Sequence, residues 1–151
     1  MTKNGEGTTK VGRRPINAAL VILHNDEHEY LLQHRTEDAE RLPGYWAFFG
    51  GSIEGAETAE DAVKREALEE LGYQLKFPRF VLHKDVVLES VECHLNVFVE
   101  RYDGVTPIIL GEGQGYGWFN VEESRRLKMI EHDLKTLEYV DQYVKGPGRA
   151  D

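Results

Sequence analysis

Apolar and polar residues follow one another along this chain in the patterns that strands and helices require. The run 16–23 is mostly apolar, which is typical of a strand buried on both faces. A polar interval follows, and Tyr30–His34 returns as the second strand of a hairpin. Farther on, the alternating runs 81–88 and 91–101 flank Glu89-Ser90 and predict a long antiparallel pair. These runs together predict a sheet.

Shorter runs and helical patterns fill most of the remaining chain. Aromatic or aliphatic residues near turn-forming Gly and Pro predict further strands at 45–49, 108–110 and 118–119. Apolar residues three to four apart predict helices at 59–71, 121–127 and 131–143. The first helix begins after Thr58, a good N-cap, and ends before Gly72, which suits the left-handed position after a helix. These strands and helices together predict a fold of the mixed α/β (α+β) class.

Length sets the domain organisation. At 151 residues the chain is long enough for one domain with its own core and short for two, and it contains no internal repeat. We predict a flexible lead-in at 1–14, a single domain at 15–145 and a tail at 146–151.

Charge and cysteine content narrow the function classes. The net charge of −9 argues against broad binding to nucleic acid, which needs clustered Lys and Arg. The single cysteine, Cys93, excludes an intramolecular disulfide and fits a reducing compartment, so a cytoplasmic location is expected. Apolar runs stay well short of the roughly 18 residues of a membrane span, and the N-terminal residues do not resemble a secretory signal.

The predicted helix 59–71 carries an unusual density of acidic residues. At about 100° per residue, Glu66, Glu69 and Glu70 share a sector roughly 100° wide that borders the apolar stripe of Val63 and Leu71. Like charges this close repel by about 0.2–0.5 kcal/mol per pair when exposed. Either these acids form a solvated face, or a hard divalent cation offsets their repulsion. Periodicity alone leaves both interpretations open.

The spacing of the whole stretch resembles a known signature. It reads Gly51, five residues, Glu57, seven residues, Arg65-Glu66-Ala67, one residue, Glu69-Glu70, one residue, Gly72-Tyr73. This resembles the motif of the Nudix hydrolase family, Gly-x5-Glu-x7-Arg-Glu-U-x-Glu-Glu-x-Gly-U, where U is bulky and apolar. All seven fixed polar and glycine positions match over 23 residues, while Ala67 and Tyr73 depart from the usual U residues. The lead-in is similar to Trp-x-Phe-Pro-Gly-Gly, with Phe49 where proline is usual.

The resemblance implies a fold and a metal site. Nudix proteins have an α/β/α sandwich with a mixed central sheet, and the loop and helix of the motif lie on one face. By resemblance, Glu66, Glu69 and Glu70 bind one to three Mg²⁺ ions, for which Mn²⁺ can substitute. The carbonyl of Gly50 is expected to be a further oxygen ligand.

Other residues are expected to assist by the same resemblance. Arg65 pairs with Glu57 and braces the loop beside the metal ligands. A glycine-rich loop presents Glu112 toward the metals, so Glu112 and Glu66 are both candidates for the base that activates water. Arg35, at the end of the second strand, either binds a substrate phosphate or pairs with a neighbouring surface acid.

The implied reaction is Mg²⁺-dependent hydrolysis of a diphosphate linkage in a nucleoside diphosphate derivative. The compact chain favours a nucleoside triphosphate pyrophosphohydrolase, with an oxidised dNTP such as 8-oxo-dGTP among the expected substrates. NDP-sugars, ADP-ribose and dinucleoside polyphosphates are alternatives, and a catalytically silent nucleotide sensor is the alternative of another class. An isoprenoid diphosphate isomerase is disfavoured, because its cysteine precedes the helix whereas Cys93 follows it.

The expected partner is a small-molecule nucleotide rather than nucleic acid or a membrane. The sequence leaves two questions open. One is the oligomeric state, because monomer and homodimer are both compatible with the sequence. Several aromatic residues either stack on a base or belong to the core: Tyr45, Trp46, Phe48, Tyr116 and Trp118.

Overall fold

A computed structural model describes residues 14–111 and 113–146, so nearly all of the predicted lead-in and tail lie outside it. Seven strands in this part of the chain form one mixed sheet. Their bounds are β1 Ile16–His24, β2 Tyr30–His34, β3 Trp46–Ala47, β4 Phe49–Ser52, β5 Arg79–Leu88, β6 Val91–Arg101 and β7 Gly115–Phe119. The helices are α1 Ala59–Leu71, α2 Val121–Ser124 and α3 Glu131–Lys145.

Strand β1 lies at the centre of the sheet. It pairs in parallel with β6 and antiparallel with β2 and β4, in the order β3-β2-β1-β6-β5, while β7 pairs with β2. Both faces of β1 are covered, with Ala19 and Ile22 fully buried in two different core clusters, which explains why its sequence is apolar on both faces. The prediction of a doubly buried strand is confirmed.

Helices cover both faces of this sheet. On one face, Val63, Ala67 and Leu71 of α1 are fully buried against a cluster that includes Ala19 and Phe49 of the sheet. On the other face, α3 packs in a second cluster through Leu137 and Val140. The predicted α/β/α sandwich is therefore confirmed. None of the described helices is long and apolar enough to cross a membrane.

The prediction of one strand at 45–49 is wrong. Trp46–Ala47 pairs with β2, whereas Phe49–Ser52 pairs with β1, so the chain changes partner at Phe48. The change is needed because β1 and β2 pair only at His24 and Tyr30 and then diverge. As a result, Gly50 and Gly51 pair with the central strand rather than with the margin of the sheet.

The strand predicted at 108–110 is also absent, and residues 108–110 follow an irregular path. The N–H of Ile109 donates to the Leu71 carbonyl at 2.8 Å, and the N–H of Gly111 donates to the Glu70 carbonyl at 2.7 Å. These donors satisfy carbonyls at the end of α1, which have no partner within the helix. The segment therefore closes the helix instead of joining the sheet.

The predicted bounds of α1 are confirmed at both ends. Thr58 accepts from the N–H of Asp61 at 3.0 Å and donates its own N–H to the Asp61 carboxylate at 3.1 Å, a reciprocal cap. Gly72 ends the helix in the left-handed conformation, with φ 63°. The other two helices differ in length from prediction, since α2 ends at Ser124 and α3 continues to Lys145.

Gly50 gives a direct test of how closely β4 must approach β1. Its φ is +139°, and a Cβ at this position would lie 2.2 Å from the carbonyl oxygen of Ala19. We expect Gly50→Ala to destabilise the fold by about 2 kcal/mol or more, because backbone strain and a backbone clash act together. Urea unfolding measures the change. The matched control is Gly115→Ala, where a Cβ meets open space, and equal losses in both variants would contradict this placement.

Candidate functional site

The three carboxylates predicted to bind metal follow one edge of α1, and two of them lie against the glycine pair of β4. Glu70 is 6% exposed and accepts the N–H of Gly50 at 3.0 Å. The Glu66 carboxylate packs on Gly51, where a Cβ would lie 2.5 Å from Glu66 Oε2. Glu69 has 59% of its side chain exposed. The helix therefore holds Glu66 and Glu70 against the strand backbone and leaves Glu69 facing water.

Arg65 forms the tightest polar contact of the site. Its Nε and Nη2 donate to the two carboxylate oxygens of Glu57 at 2.6 and 3.0 Å. Arg65, with support from the N–H of Glu54, lowers the pKa of Glu57 to about 2. The same contacts raise the pKa of Arg65 above its usual range. A two-point pair of this kind fixes the orientation of both side chains.

The remaining donors of Arg65 reach the neighbouring acids and the loop. Nη1 donates to Glu66 at 2.9 Å and to Glu69 at 3.4 Å, and Nη2 donates to the Ser52 carbonyl at 3.0 Å. One guanidinium thus offsets part of the repulsion among the carboxylates and ties α1 to the end of β4. The contact with Ser52 has no signal in the sequence, because any residue offers a carbonyl.

Glu112 lies outside the described residues, but its two neighbours lie within them. Gly111 packs on the end of α1, where a Cβ would lie 2.4 Å from the Glu69 carbonyl oxygen. Gly113 packs against β2, where a Cβ would lie 3.0 Å from the His34 carbonyl oxygen. The base role assigned to Glu112 stays a prediction.

An open cleft of about 240 Å³ is lined by one of these carboxylates, Glu70, and by Gly50 and Arg35 among others. Arg35 donates its Nε to the Arg41 carbonyl at 2.8 Å. A larger cavity of about 400 Å³ lies beside Phe77, and its described lining includes none of the α1 carboxylates. The smaller cleft is therefore the candidate site.

Most of the candidate stacking residues are used in packing. Trp46 stacks on His34 with ring centroids 4.6 Å apart, and Trp118 packs on Tyr102 at 5.3 Å. Of the five aromatic candidates, Phe48 is the one in the described lining of the cleft.

Two further residues of the cleft were missed from the sequence. Arg41 and Asp133 line it, although neither belongs to the motif. Asp133 is buried in the first turn of α3, and an acid at that position suits the helix dipole, so its sequence context indicates only a helix start. Its place in the cleft depends on how α3 packs on the sheet.

The donor set of this site suits a hard divalent cation. Glu66, Glu69 and Glu70 offer carboxylate oxygens, and Gly50 offers a carbonyl oxygen. Oxygen donors favour Mg²⁺ or Mn²⁺, whereas zinc favours His and Cys. The absence of a Cβ at Gly51 leaves room for the carboxylate of Glu66 beside the strand.

The family follows from sequence comparison. The NUDIX domain family model matches this sequence over residues 14–140, a span that includes every described strand and helix α1. The chain belongs to the Nudix family.

Individual relatives match a shorter stretch of this chain than the family model does. Nucleoside triphosphatase NudI of Escherichia coli O139:H28 is 44% identical over 54 residues, which are 36% of this chain and 38% of NudI. The match thus spans little more than a third of that relative.

Solved structures share the fold at low identity. The crystal structure of the MutT protein from Methanosarcina mazei Go1 has a TM-score of 0.77 at 23% identity, covering 88% of this chain and 97% of that chain. The NUDIX domain of Shewanella oneidensis NrtR, complexed with ADP ribose, has a TM-score of 0.73 at 13% identity, covering 89% and 92%. This likeness shows a common fold.

The pair of Arg65 and Glu57 makes a pH dependence testable. Because the pKa of Glu57 falls from 4.5 to about 2 on folding, its stabilisation is fully present above about pH 4.5 and is lost as the pH falls toward 2. We expect the difference in Tm between wild type and Glu57→Gln to be constant from about pH 8 to about pH 5, and to shrink below that. Thermal unfolding followed by circular dichroism checks this.

Glu60→Gln is the matched control for that series. Glu60 also pairs with a cation, Lys64, but both side chains are exposed, so its variant should stay close to wild type at every pH. A difference for Glu57→Gln that increases on acidification would contradict the assigned contact.

Proposed function

We propose that this chain is a divalent-cation-dependent hydrolase that cleaves a diphosphate linkage, with nucleoside triphosphates as its substrate class. The observation that carries this proposal is the convergence of Glu66 and Glu70 on Gly50 and Gly51, beside a cleft that contains Arg35. Carboxylates next to an arginine meet the two needs of the reaction, which are cation binding and phosphate binding.

Each residue of the motif has a separate task in this proposal. Glu66, Glu69 and Glu70 would hold Mg²⁺, or Mn²⁺ in its place, together with the Gly50 carbonyl. When bound, the cation supplies positive charge that offsets the negative charge developing on the phosphate oxygens. Arg65 positions the carboxylates through its contacts at 2.9 and 3.4 Å and is itself fixed by its pair with Glu57.

The base that takes the proton from the attacking water is either Glu66 or Glu112. Glu66 lies beside Gly51 and is oriented by Arg65. For Glu112, the support comes from its neighbour Gly111, whose N–H donates to the Glu70 carbonyl at 2.7 Å and ties this stretch of chain to the metal-binding helix. In either case a carboxylate oxygen accepts the proton.

Substrate recognition is assigned to the walls of the cleft. Arg35 and Arg41 supply positive charge for phosphate groups in a protein whose net charge is −9, so attraction of the substrate depends on local charges. Asp133 offers a buried carboxylate that can accept hydrogen bonds from a nucleobase. These features favour a compact nucleotide.

NudI, which matches part of this chain, is named a nucleoside triphosphatase, and this also supports nucleoside triphosphates as the substrate class. We further propose that the protein works in the cytoplasm, and the free, buried Cys93 supports a reducing compartment.

The metal assignment is tested by Glu70→Gln. Glutamine keeps an oxygen that can accept the Gly50 N–H but removes the negative charge, so folding should be nearly unchanged while cation binding weakens. We expect turnover to fall by ~10²-fold or more, with Tm in the absence of metal within about 3 °C of wild type. Steady-state kinetics with Mg²⁺ and Mn²⁺ titrations measure both effects.

Glu60→Gln on the exposed side of the same helix is the control, and it should retain wild-type turnover and cation dependence. Near wild-type turnover in Glu70→Gln would overturn the metal assignment.

The reaction itself is tested by a substrate panel with identified products. Nucleoside triphosphates, including 8-oxo-dGTP, should be hydrolysed to a nucleoside monophosphate and pyrophosphate in the presence of Mg²⁺. The panel also contains ADP-ribose, an NDP-sugar and a dinucleoside polyphosphate, and mass spectrometry in ¹⁸O-water identifies which phosphorus is attacked. If ADP-ribose, the NDP-sugar or the dinucleoside polyphosphate is hydrolysed faster than the nucleoside triphosphates, that compound takes their place as the assigned substrate class. Nucleotide binding without any hydrolysis would favour a sensor.

A further inference from the structure

A second group of metal-binding side chains lies on the β5–β6 hairpin at the margin of the sheet. His83 and Asp85 of β5 are two residues apart and therefore point to the same face. Across the ladder, His83 pairs with Asn96 and Asp85 pairs with His94. These four residues form a square of side chains on one face, built from strands rather than from the helix of the motif.

Three ligand atoms converge in this square. Asp85 Oδ1 lies 2.7 Å from His83 Nε2 and 2.7 Å from His94 Nδ1. The three atoms all lie within 4.8 Å of one another. The two imidazole rings are nearly parallel, with an interplanar angle of 16°. Small adjustments of the side chains would bring all three atoms to the ~2.0–2.2 Å at which zinc binds His and Asp.

Asn96 determines which nitrogen of His83 is available. The Asn96 amide donates to the Ala18 carbonyl at 3.1 Å, so its oxygen is the atom that faces His83 Nδ1 at 2.9 Å. An oxygen there can only accept, and Nδ1 must therefore carry a proton. With Nδ1 engaged by Asn96, Nε2 is the nitrogen of His83 that faces the Asp85 carboxylate.

His94 is arranged in the same way. Its Nε2 lies 3.4 Å from the carboxylate of Glu92, which leaves Nδ1 directed at Asp85. Metal-binding histidines characteristically hold an oxygen partner on the nitrogen that does not bind the metal. Both histidines of the square have this outer partner, and both direct the other nitrogen at the same point.

The three side chains are also open to water. The side chains of His83, Asp85 and His94 are 45%, 63% and 31% exposed, so an ion can reach them and keep water ligands.

We propose that His83 Nε2, Asp85 Oδ1 and His94 Nδ1 bind Zn²⁺ or a similar transition-metal ion, as a site separate from the oxygen ligands of α1. Two imidazoles with one carboxylate select transition metals over Mg²⁺ and leave coordination positions open to water. The ion joins β5 to β6, with three residue pairs between this site and the two-residue turn at Glu89-Ser90.

Isothermal titration of untagged, metal-free full-length protein with ZnCl₂ tests this site. Excess Mg²⁺ is kept in the buffer to occupy oxygen-only sites. We expect saturable binding of one Zn²⁺ per chain, weakened at least ~10-fold in His83→Gln, His94→Gln and Asp85→Asn, and weakened in Asn96→Ala through loss of the outer partner. Co²⁺ in place of Zn²⁺ should give a visible absorption band that these variants lose.

Two controls separate this site from other histidines and from α1. His28→Asn removes an exposed imidazole elsewhere and should bind Zn²⁺ like wild type. Glu70→Gln should retain Zn²⁺ binding at the hairpin. Equal affinity in wild type and in the His83→Gln/His94→Gln double variant would overturn the proposal, as would loss of binding in Glu70→Gln; circular dichroism verifies that each variant is folded.

Discussion

The close approach between helix α1 and the backbone of Gly50 and Gly51 is the contact on which the candidate site depends. Glu70 is buried and accepts the N–H of Gly50, while the Glu66 carboxylate occupies the space that a side chain at Gly51 would fill. This approach is possible only because β4 pairs with the central strand β1, which brings the two glycines to the middle of the sheet. Sheet topology, glycine geometry and the carboxylates are therefore parts of one arrangement.

That arrangement concentrates negative charge, and Arg65 balances it. The guanidinium contacts Glu57, Glu66 and Glu69 together with the Ser52 carbonyl, so one cation links the loop, the helix and the end of β4. An exposed ion pair contributes little to stability on average. Here the contribution is geometric, because a planar donor with several partners holds the carboxylates at fixed separations.

Local signals explain what the sequence could predict. Helix α1 was predicted with its correct ends because Thr58 and Gly72 act on their immediate neighbours. The strand at 45–49 and the strand at 108–110 were predicted wrongly because their hydrogen-bond partners are far away in the sequence. The first changes partner where β1 and β2 diverge, and the second donates to the end of α1. The place of Asp133 in the cleft was missed for the same reason, since it depends on packing between distant elements.

The anchoring of Gly111 and Gln114 has a consequence for how this protein can vary in length. The N–H of Gly111 is bonded to the Glu70 carbonyl and the N–H of Gln114 to the His34 carbonyl, with two residues between them. A deletion within this short span would leave too little chain to keep both bonds, and an insertion would loosen the connection between the end of α1 and β2. The turn closed by Asp103, whose carboxylate accepts the N–H groups of Val105 and Thr106, tolerates a length change more easily because its bonds are local. The turn at 103–106, upstream of the candidate site, is therefore the part of this connection where a change of length disturbs the site least.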